Sequence, residues 1–150
     1  MSTETPCVTV SQKELLDLLP LGACIIDEDL KVNAWNATLV NWTGITQESA
    51  IGMNLVDRYP RLSAWCFRDR LNQVFSTGTP AIFSAAFHKY FIPVPPRQGG
   101  PNSDMIQQTT VRPLDEALEH ALVIIQDVTA QYLQMEELRK ERLRLEKVVA

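Results

Sequence analysis

The chain of 150 residues is long enough for one folded domain with an appended segment. Its net charge of −4, from 14 basic and 18 acidic residues, gives no basic surface for nucleic acid. No apolar run approaches the length of a membrane span, and the N-terminus lacks the basic-then-apolar order of a signal peptide. Cys7, Cys24 and Cys66 are odd in number and lack metal-ligand spacing. We therefore expect reduced thiols in a cytoplasmic protein, with Cys24 and Cys66 in the core.

The first elements predicted along the chain are a short helix and a β-hairpin. Residues 1–10 are expected to form a flexible N-terminus. Residues 11–14 fit a capping box, which predicts an amphipathic helix over about 11–19. Residues 23–27 and 30–35 then predict two strands joined by an acidic turn.

Several short helices are expected next. Asn36 can cap a helix over 37–43, and Gly44 stands where a left-handed residue would end it. Another helical turn is expected from Thr46. A clearer helix follows Ser63, because apolar residues recur there at helical spacing.

The second half of the chain is predicted to be mainly β structure. Residues 81–94 form one long, aromatic-rich strand pattern, and residues 105–114 alternate polar and apolar side chains. Residues 95–104, rich in Pro and Gly, indicate a mobile hairpin loop between them. Residues 121–126 begin with a continuous apolar run that is typical of a buried strand. This order of elements predicts an α+β domain with an antiparallel sheet and helices on one side.

A long charged helix is predicted at the C-terminus, in a linker segment comprising residues 130–150. The segment contains neither Gly nor Pro, and Thr129 can cap its start. Leu138 and Leu145 lie seven residues apart, and Met135 adds to a second row. These features favour a coiled-coil linker that needs a partner, since such a helix is marginal by itself. The alternative is a solvated helix that folds back on its own domain.

Four stretches of the sequence carry a resemblance to a known family. They are residues 25–36, which end in Asn36; residues 39–52, with Trp42-Thr43-Gly44; residues 70–80; and Gln126-Asp127-Val128-Thr129. In order and spacing these stretches resemble the PAS domain, a small sensory module of bacterial signalling proteins. The resemblance implies a five-stranded antiparallel sheet with helices on one face, flanked by N-terminal and C-terminal helices. It places the sensor domain, with its N-terminal cap helix, at residues 11–129.

The same resemblance implies which residues sense and which transmit. A ligand pocket between sheet and helices would be lined by Ile26, Leu39, Met53, Trp65, Leu71, Phe83, Phe87, Gln107 and Val123. Gln126, Asp127 and Thr129 would relay the signal, as the Asp-(Ile/Val)-Thr signature of the family does. Met135, Leu138 and Leu145 would pair the linker helices of a homodimer. A small-molecule ligand is therefore expected as one partner.

The resemblance also bears on the rest of the protein. Residues 95–104 form a longer and more Pro-rich loop than is usual in the family. Residues 105–114 resemble the strand pattern of PAS modules that precede diguanylate cyclase (GGDEF) or histidine kinase domains. The chain contains no GGDEF-like sequence and no phospho-accepting His box. We therefore expect it to be part of a longer protein in which one of these output domains follows.

No cofactor can be assigned from the sequence. A covalent LOV-type flavin needs a Cys in the region that here spans residues 52–58, where there is none. Haem is not expected either, because residues 63–77 contain no His to serve as axial ligand. Non-covalent FAD stays open, since Trp35, Trp42 and Trp65 are candidates to flank its ring. Packing of these indoles is the simpler interpretation.

His88 has two interpretations. Alternation along residues 81–94 puts it on the outer face of the long strand, opposite Phe83, Phe87 and Phe91. Alternatively, it is a pH-sensitive group that contacts a ligand. We expect the outer position.

Catalytic and metal-binding motifs are absent from the sequence. It shows no nucleophile elbow, no glycine-rich phosphate loop and no metal-ligand cluster. We therefore expect a sensory module rather than an enzyme. The two rival hypotheses are a flavin-based redox sensor and a ligand-free dimerisation module.

Overall fold

The computed structural model describes residues 12–94 and 105–149. Its helices are α1 (Gln12–Leu18), α2 (Ala37–Thr43), α3 (Gln47–Ala50), α4 (Leu55–Arg58), α5 (Trp65–Thr77), α6 (Ala85–His88) and α7 (Thr129–Val149), with a 3₁₀ turn at Pro60–Ser63. Its strands are β1 (Gly22–Asp27), β2 (Val32–Trp35), β3 (Ala81–Phe83), β4 (Gln107–Pro113) and β5 (His120–Asp127). The predictions for residues 1–10, for the Ser11 cap and for the loop at 95–104 lie outside the described residues.

The five strands form one antiparallel sheet in the order β2-β1-β5-β4-β3. Val123 of the central strand β5 lies opposite Cys24 of β1 on one side and Val111 of β4 on the other. The five-stranded α+β architecture predicted from the sequence is therefore confirmed. The predicted hairpin of β1 and β2 is also present.

The core lies between one face of the sheet and the helices of residues 37–77. Alternation along β5 buries Ala121, Val123 and Ile125 on this face. Leu39 of α2 and Leu71 of α5 meet them from the helical side. The opposite face carries more exposed residues, so the sheet divides the domain into a packed side and an open side.

Asn36 ties the N-terminal helix to the hairpin and starts α2. Its Oδ1 accepts hydrogen bonds from the amides of Leu39 and Ala23, both at 3.1 Å. Its Nδ2 donates to the carbonyls of Leu16 and Leu21, both at 2.8 Å. The predicted cap is thus confirmed, and the same buried side chain positions α1. All four polar contacts come from one amide, which satisfies its hydrogen-bonding capacity.

The prediction of one long strand over residues 81–94 is wrong. Strand β3 ends at Phe83, and α6 follows at once. Lys89 then adopts a positive φ of 65°, which no strand tolerates. As a result both Phe91 and Ile92 are buried, although alternation had placed them on opposite faces. The side chain of Phe87 lies outside what the structure describes.

Helix α7 leaves the domain at the end of β5. Most of its side chains are exposed, including Leu133, Met135, Leu138 and Leu145. Within the described ranges, no helix combines the length and the apolar character that crossing a membrane requires. The domain therefore ends in an extended charged helix with exposed apolar side chains.

Candidate signalling site

The junction between β5 and α7 is fixed by three side-chain hydrogen bonds. Asp127 Oδ1 accepts from the amide of Thr129 at 3.0 Å and from its hydroxyl at 2.6 Å. Thr129 Oγ1 in turn accepts from the amide of Ile106 at 2.9 Å. The amide of Val128 donates to the Ile106 carbonyl at 2.9 Å. These contacts join the last strand, the segment before β4 and the first turn of α7.

Two of the three predicted relay residues meet at this junction. Asp127 and Thr129 contact each other, whereas Gln126 is exposed and lies opposite Gln108 on the neighbouring strand. The hydroxyl of Thr129 was expected to cap the helix. Instead it bonds across to Ile106, and the Asp127 carboxylate accepts from the first helical amide. The junction therefore depends on Asp127 and Thr129 together.

Gln107, one of the predicted pocket residues, uses its side-chain amide within the protein. The side chain is 1% exposed. Its Oε1 accepts from the amides of Phe91 and Ile92 at 2.9 and 3.1 Å, and Nε2 donates to the Ile92 carbonyl at 2.7 Å. This pattern imitates the pairing of a neighbouring strand. The Gln107 side chain thus supplies the backbone hydrogen bonds that a neighbouring strand would have given to Phe91 and Ile92.

A cluster of aromatic rings lies where α5, β3 and α6 meet. The centroids of Phe67 and Phe83 are 5.2 Å apart, and Phe91 lies 6.0 Å from Phe67. His88 packs against this cluster, at 5.0 Å from Phe67 and 5.2 Å from Phe83. The expected outer position of His88 is therefore wrong, because helix α6 turns its ring toward α5.

Burial is the main cause that lowers the pKa of His88 below its ordinary value, and the positive charge of Arg70 lowers it further. A hydrogen bond with the Ser84 backbone opposes this pKa shift, while Arg61 adds to it. Nδ1 is buried and has no partner of normal hydrogen-bond geometry among the described residues. Its place in the aromatic cluster therefore favours the neutral form of His88.

A second contact joins the body of the domain to α7. Lys89 Nζ donates to Tyr132 Oη at 2.6 Å and lies 4.4 Å from the centre of the tyrosine ring. The backbone carbonyl of Lys89 accepts from the amide of Gln107 at 2.7 Å. Lys89 therefore connects β4, α6 and the first turns of α7.

An apolar groove runs along α7 on the side that faces α6 and β4. It has a volume of about 840 Å³, and its walls include Ala85, Gln108, Tyr132, Met135 and Leu138. The predicted pairing residues Met135 and Leu138 are 70% and 61% exposed, and Leu145 is 60% exposed. Helix α7 therefore presents apolar side chains that its own domain leaves uncovered.

The predicted ligand-pocket residues are distributed between core and surface. Five of them are fully buried in one cluster, namely Ile26, Leu39, Leu71, Phe83 and Val123. Met53 packs at the edge of this cluster. Trp65 is 80% exposed at the start of α5, so its assignment to a buried pocket is wrong. The space between sheet and helices is occupied by packed side chains.

The three tryptophans considered for flavin binding have different surroundings. Trp35 is buried on β2, and its Nε1 donates to the Ile45 carbonyl at 3.2 Å. Trp42 lies over Gly22, where an added Cβ would come within 2.7 Å of its ring. Trp65 is on the surface. Packing within the protein therefore accounts for the positions of Trp35 and Trp42.

Asp115, Glu119 and His120 form one group with potential metal ligands, their ligand atoms all within 4.8 Å. The Asp115 carboxylate accepts from the Glu119 amide at 2.9 Å and lies 3.1 Å from His120 Nδ1. The side-chain hydrogen bond from His120 is the main cause that lowers the pKa of Asp115. These bonds close the connection between β4 and β5, which accounts for the group without a metal.

The fold and its terminal junction define a class of protein, a small α+β module whose last strand is followed directly by a helix that projects from the domain. The sequence profile described as "PAS fold" matches residues 16–133. The chain belongs to the PAS fold family, as its sequence motifs predicted. A comparison with curated proteins gives no match.

Solved structures with the same fold come from several signalling proteins. The photoactive yellow protein domain of the sensor histidine kinase Ppr from Rhodospirillum centenum is 20% identical, with a TM-score of 0.58 over 77% of this chain and 93% of that chain. A sensory box sensor histidine kinase from Vibrio cholerae is 22% identical, with a TM-score of 0.58 over 77% of this chain and 88% of that chain. The PAS domain of the Cronobacter turicensis quorum-sensing receptor RpfR, solved in complex with BDSF, is 13% identical, with a TM-score of 0.55 over 74% of this chain and 96% of that chain. At these identities the similarity establishes the fold.

Sequence reasoning missed three residues of the site. Arg61 donates to the carbonyls of His88 and Tyr90 and lies over the Tyr90 ring at 4.0 Å. Lys89 and Tyr132 are 43 residues apart in the chain. No periodicity or motif connects residues at such separations, so only the fold brings them together.

Proposed function

We propose that this chain is a PAS sensory module that passes a change in its core through α7 to a C-terminal output domain. The observation that carries the proposal is the junction of Asp127, Thr129 and Ile106. A shift of β5 or of the segment before β4 would move the first turn of α7, because the same two side chains bond to both. The proposed output is a histidine kinase or a diguanylate cyclase. The module itself would contribute no catalysis.

The proposed mechanism is a population shift between two arrangements of the junction. A stimulus acts only if it stabilises one arrangement more than the other. In a homodimer, the exposed row with Leu138 and Leu145 would pair two copies of α7, and the pairing angle would report the state of the domain. The free thiols of Cys24 and Cys66 agree with a cytoplasmic location.

The test is a fusion of residues 1–149 to the catalytic region of a sensor histidine kinase. Thr129→Val keeps the shape but removes the hydroxyl and its bonds to Asp127 and Ile106, so it should change autophosphorylation by at least about fivefold, the factor for losing one ordinary hydrogen bond. Gln126→Ala is the matched control, since Gln126 is exposed beside the junction. Equal autophosphorylation in the Thr129→Val and unchanged fusions would refute the proposal.

A ligand-free dimerisation module is the second candidate function. The packed core favours this function. Leu39, Phe83 and Val123 are 0 to 1% exposed, so side chains rather than a ligand surround them. Native mass spectrometry combined with a visible absorption spectrum separates the alternatives. A dimer with added mass would support a small-molecule sensor, and flavin absorbance would support the redox sensor. A colourless dimer without added mass would support assembly alone.

A further inference from the structure

The contact between Lys89 and Tyr132 is a second tether of α7, independent of the Asp127 junction. Lys89 Nζ both donates to Tyr132 Oη at 2.6 Å and lies over the tyrosine ring at 4.4 Å. A hydrogen bond and a cation–π contact thus act on the same pair. Tyr132 stands in the first turn of α7, where its amide donates to the Val128 carbonyl at 2.8 Å. A displacement of Lys89 would therefore change the contacts of Tyr132 in the first turn of α7.

The position of Lys89 depends on α6. The Lys89 amide donates to the Ala85 carbonyl at 3.1 Å. The backbone of Lys89 has a φ of 65°, which residues other than glycine rarely adopt. Helix α6 is one turn long and cannot hold itself in place. The packing of its last residue, His88, against Phe67 and Phe83 is one of the contacts that position it. Docking of His88 and placement of Lys89 are therefore linked.

The surroundings of His88 disfavour a protonated ring, because burial and two nearby guanidinium groups outweigh the hydrogen bond with the Ser84 backbone. Nδ1 is buried without a normal hydrogen-bond partner among the described residues. The charged groups that face it are Arg70 of α5 and Arg61 of the 3₁₀ turn. Both guanidinium groups have fixed positions, since Arg70 donates to the Ile82 carbonyl at 2.8 Å and Arg61 donates to the His88 carbonyl. A proton on His88 would place a third cation next to these two.

From these contacts, and resting on the proposed function, we propose that Lys89 and Tyr132 form a latch between α6 and α7 that protonation of His88 opens. Protonation would expel the ring from the aromatic cluster, and α6 would carry Lys89 away from Tyr132. The start of α7 would then depend on the Asp127 junction alone. The chain would then respond to acid through His88, whose sensitivity to protonation comes from its surroundings in the fold and needs no ligand.

The sign of the pH response follows from the protonation states. A histidine whose folded pKa is lowered binds its proton more readily when undocked. Docking of His88 is therefore fully favourable above the ordinary pKa of 6.5 and is lost as the pH falls below that value. The latch is closed at neutral pH and opens in mild acid.

Hydrogen exchange tests the latch in the unmodified chain. Protection of the first turn of α7, corrected for intrinsic exchange, is compared at about pH 7.5 and about pH 5.5, on either side of the ordinary histidine pKa. We expect protection about fivefold lower in acid, the factor for losing one ordinary hydrogen bond. His88→Phe and, as a second non-titrating variant, His88→Gln should remove this difference. His120→Gln should retain it, because that histidine is the first residue of β5 and its ring contacts Asp115.

Two further variants separate the latch from its trigger. Tyr132→Phe removes only the hydroxyl that Lys89 binds, so it should lower protection of the first turn at about pH 7.5 and add little further loss at about pH 5.5, where the latch is already open. Gln131→Ala, one residue earlier on α7, is its control. Unchanged protection in Tyr132→Phe would overturn the latch. A pH response that persists in both His88 variants would overturn His88 as its trigger.

The outcome is distinguishable from that of the proposed function. If hydrogen exchange depends on pH but Thr129→Val leaves autophosphorylation of the kinase fusion unchanged, transmission through the junction is refuted and the latch is retained. An effect of Thr129→Val combined with pH-independent exchange would do the reverse. The two results come from separate residues and separate measurements.

Discussion

The side chain of Gln107 pairs with the backbone of Ile92 in both directions. Oε1 accepts from the Ile92 amide at 3.1 Å, and Nε2 donates to the Ile92 carbonyl at 2.7 Å. The same oxygen accepts from the amide of Phe91 at 2.9 Å. One buried amide thus supplies partners for a segment that leaves the sheet after β3.

Replacing Gln107 should destabilise the domain strongly. Gln107→Leu keeps the volume but leaves the amides of Phe91 and Ile92 and the Ile92 carbonyl without partners. Unsatisfied buried groups cost about 1–3 kcal/mol each, so we expect the free energy of unfolding to fall by about 3 kcal/mol or more. Urea denaturation monitored by tryptophan fluorescence measures the change.

The control for this experiment is the next residue. Gln108 is exposed, and Gln108→Leu should change the free energy of unfolding by less than about 0.5 kcal/mol. Equal stability of the two variants would show that the Gln107 hydrogen bonds contribute nothing net.

Asp127→Ala should loosen the start of α7 and leave the core folded. The substitution removes the acceptor of both Thr129 bonds, whereas the sheet pairing of β5 uses backbone groups. We expect faster limited proteolysis at the β5–α7 junction and an unchanged near-ultraviolet circular dichroism spectrum. Gln126→Ala should be cut at the unmodified rate. Equal protease sensitivity of Asp127→Ala and the unmodified chain would contradict the role of the carboxylate.

Combining Leu138→Glu with Leu145→Glu should weaken self-association. Both leucines are exposed in the single chain, so their substitution removes apolar contacts only where a second copy covers them. Sedimentation velocity should show a shift from dimer toward monomer. Lys140→Glu changes the net charge by the same amount on the opposite side of the helix and should leave the dimer intact. An unchanged sedimentation profile of the double variant would remove α7 pairing from the mechanism.

Cys24 should resist thiol reagents in the folded protein. Burial raises the pKa of this thiol to about 12, so almost no thiolate is present near neutral pH. Iodoacetamide labelling followed by mass spectrometry should modify Cys24 only after denaturation. In Cys24→Ala, the number of labelled sites should fall by one in urea and stay unchanged in the native protein. Labelling of native Cys24 at the denatured rate would show that β1 opens readily.

Some parts of the site followed from the sequence because their causes are local. The Asn36 cap acts on an amide three residues away, and Gly44 ends α2 with a φ of 75°. Asp127 and Thr129 are separated by one residue, so their contact needed only a strand that ends and a helix that begins. The sequence motifs that carried the family resemblance belong to this group.

Other parts depend on contacts between distant segments. The strand pattern of residues 81–94 was misleading because Gln107 takes over the pairing of Ile92, 15 residues away. Trp65 was placed in the pocket by the family resemblance, yet at the start of α5 its side chain is exposed. His88 was placed outside by alternation, which α6 interrupts.

The sequence by itself determined the α+β class, the Asn36 cap of α2, the PAS motifs and the exposed apolar row of α7. These features rest on periodicity and on hydrogen bonds between near neighbours, which a linear pattern records. The tertiary structure decided the filled core, the aromatic surroundings of His88 and the contact between Lys89 and Tyr132. Those features come from side chains up to 43 residues apart, and only packing of the whole chain decides which of them meet.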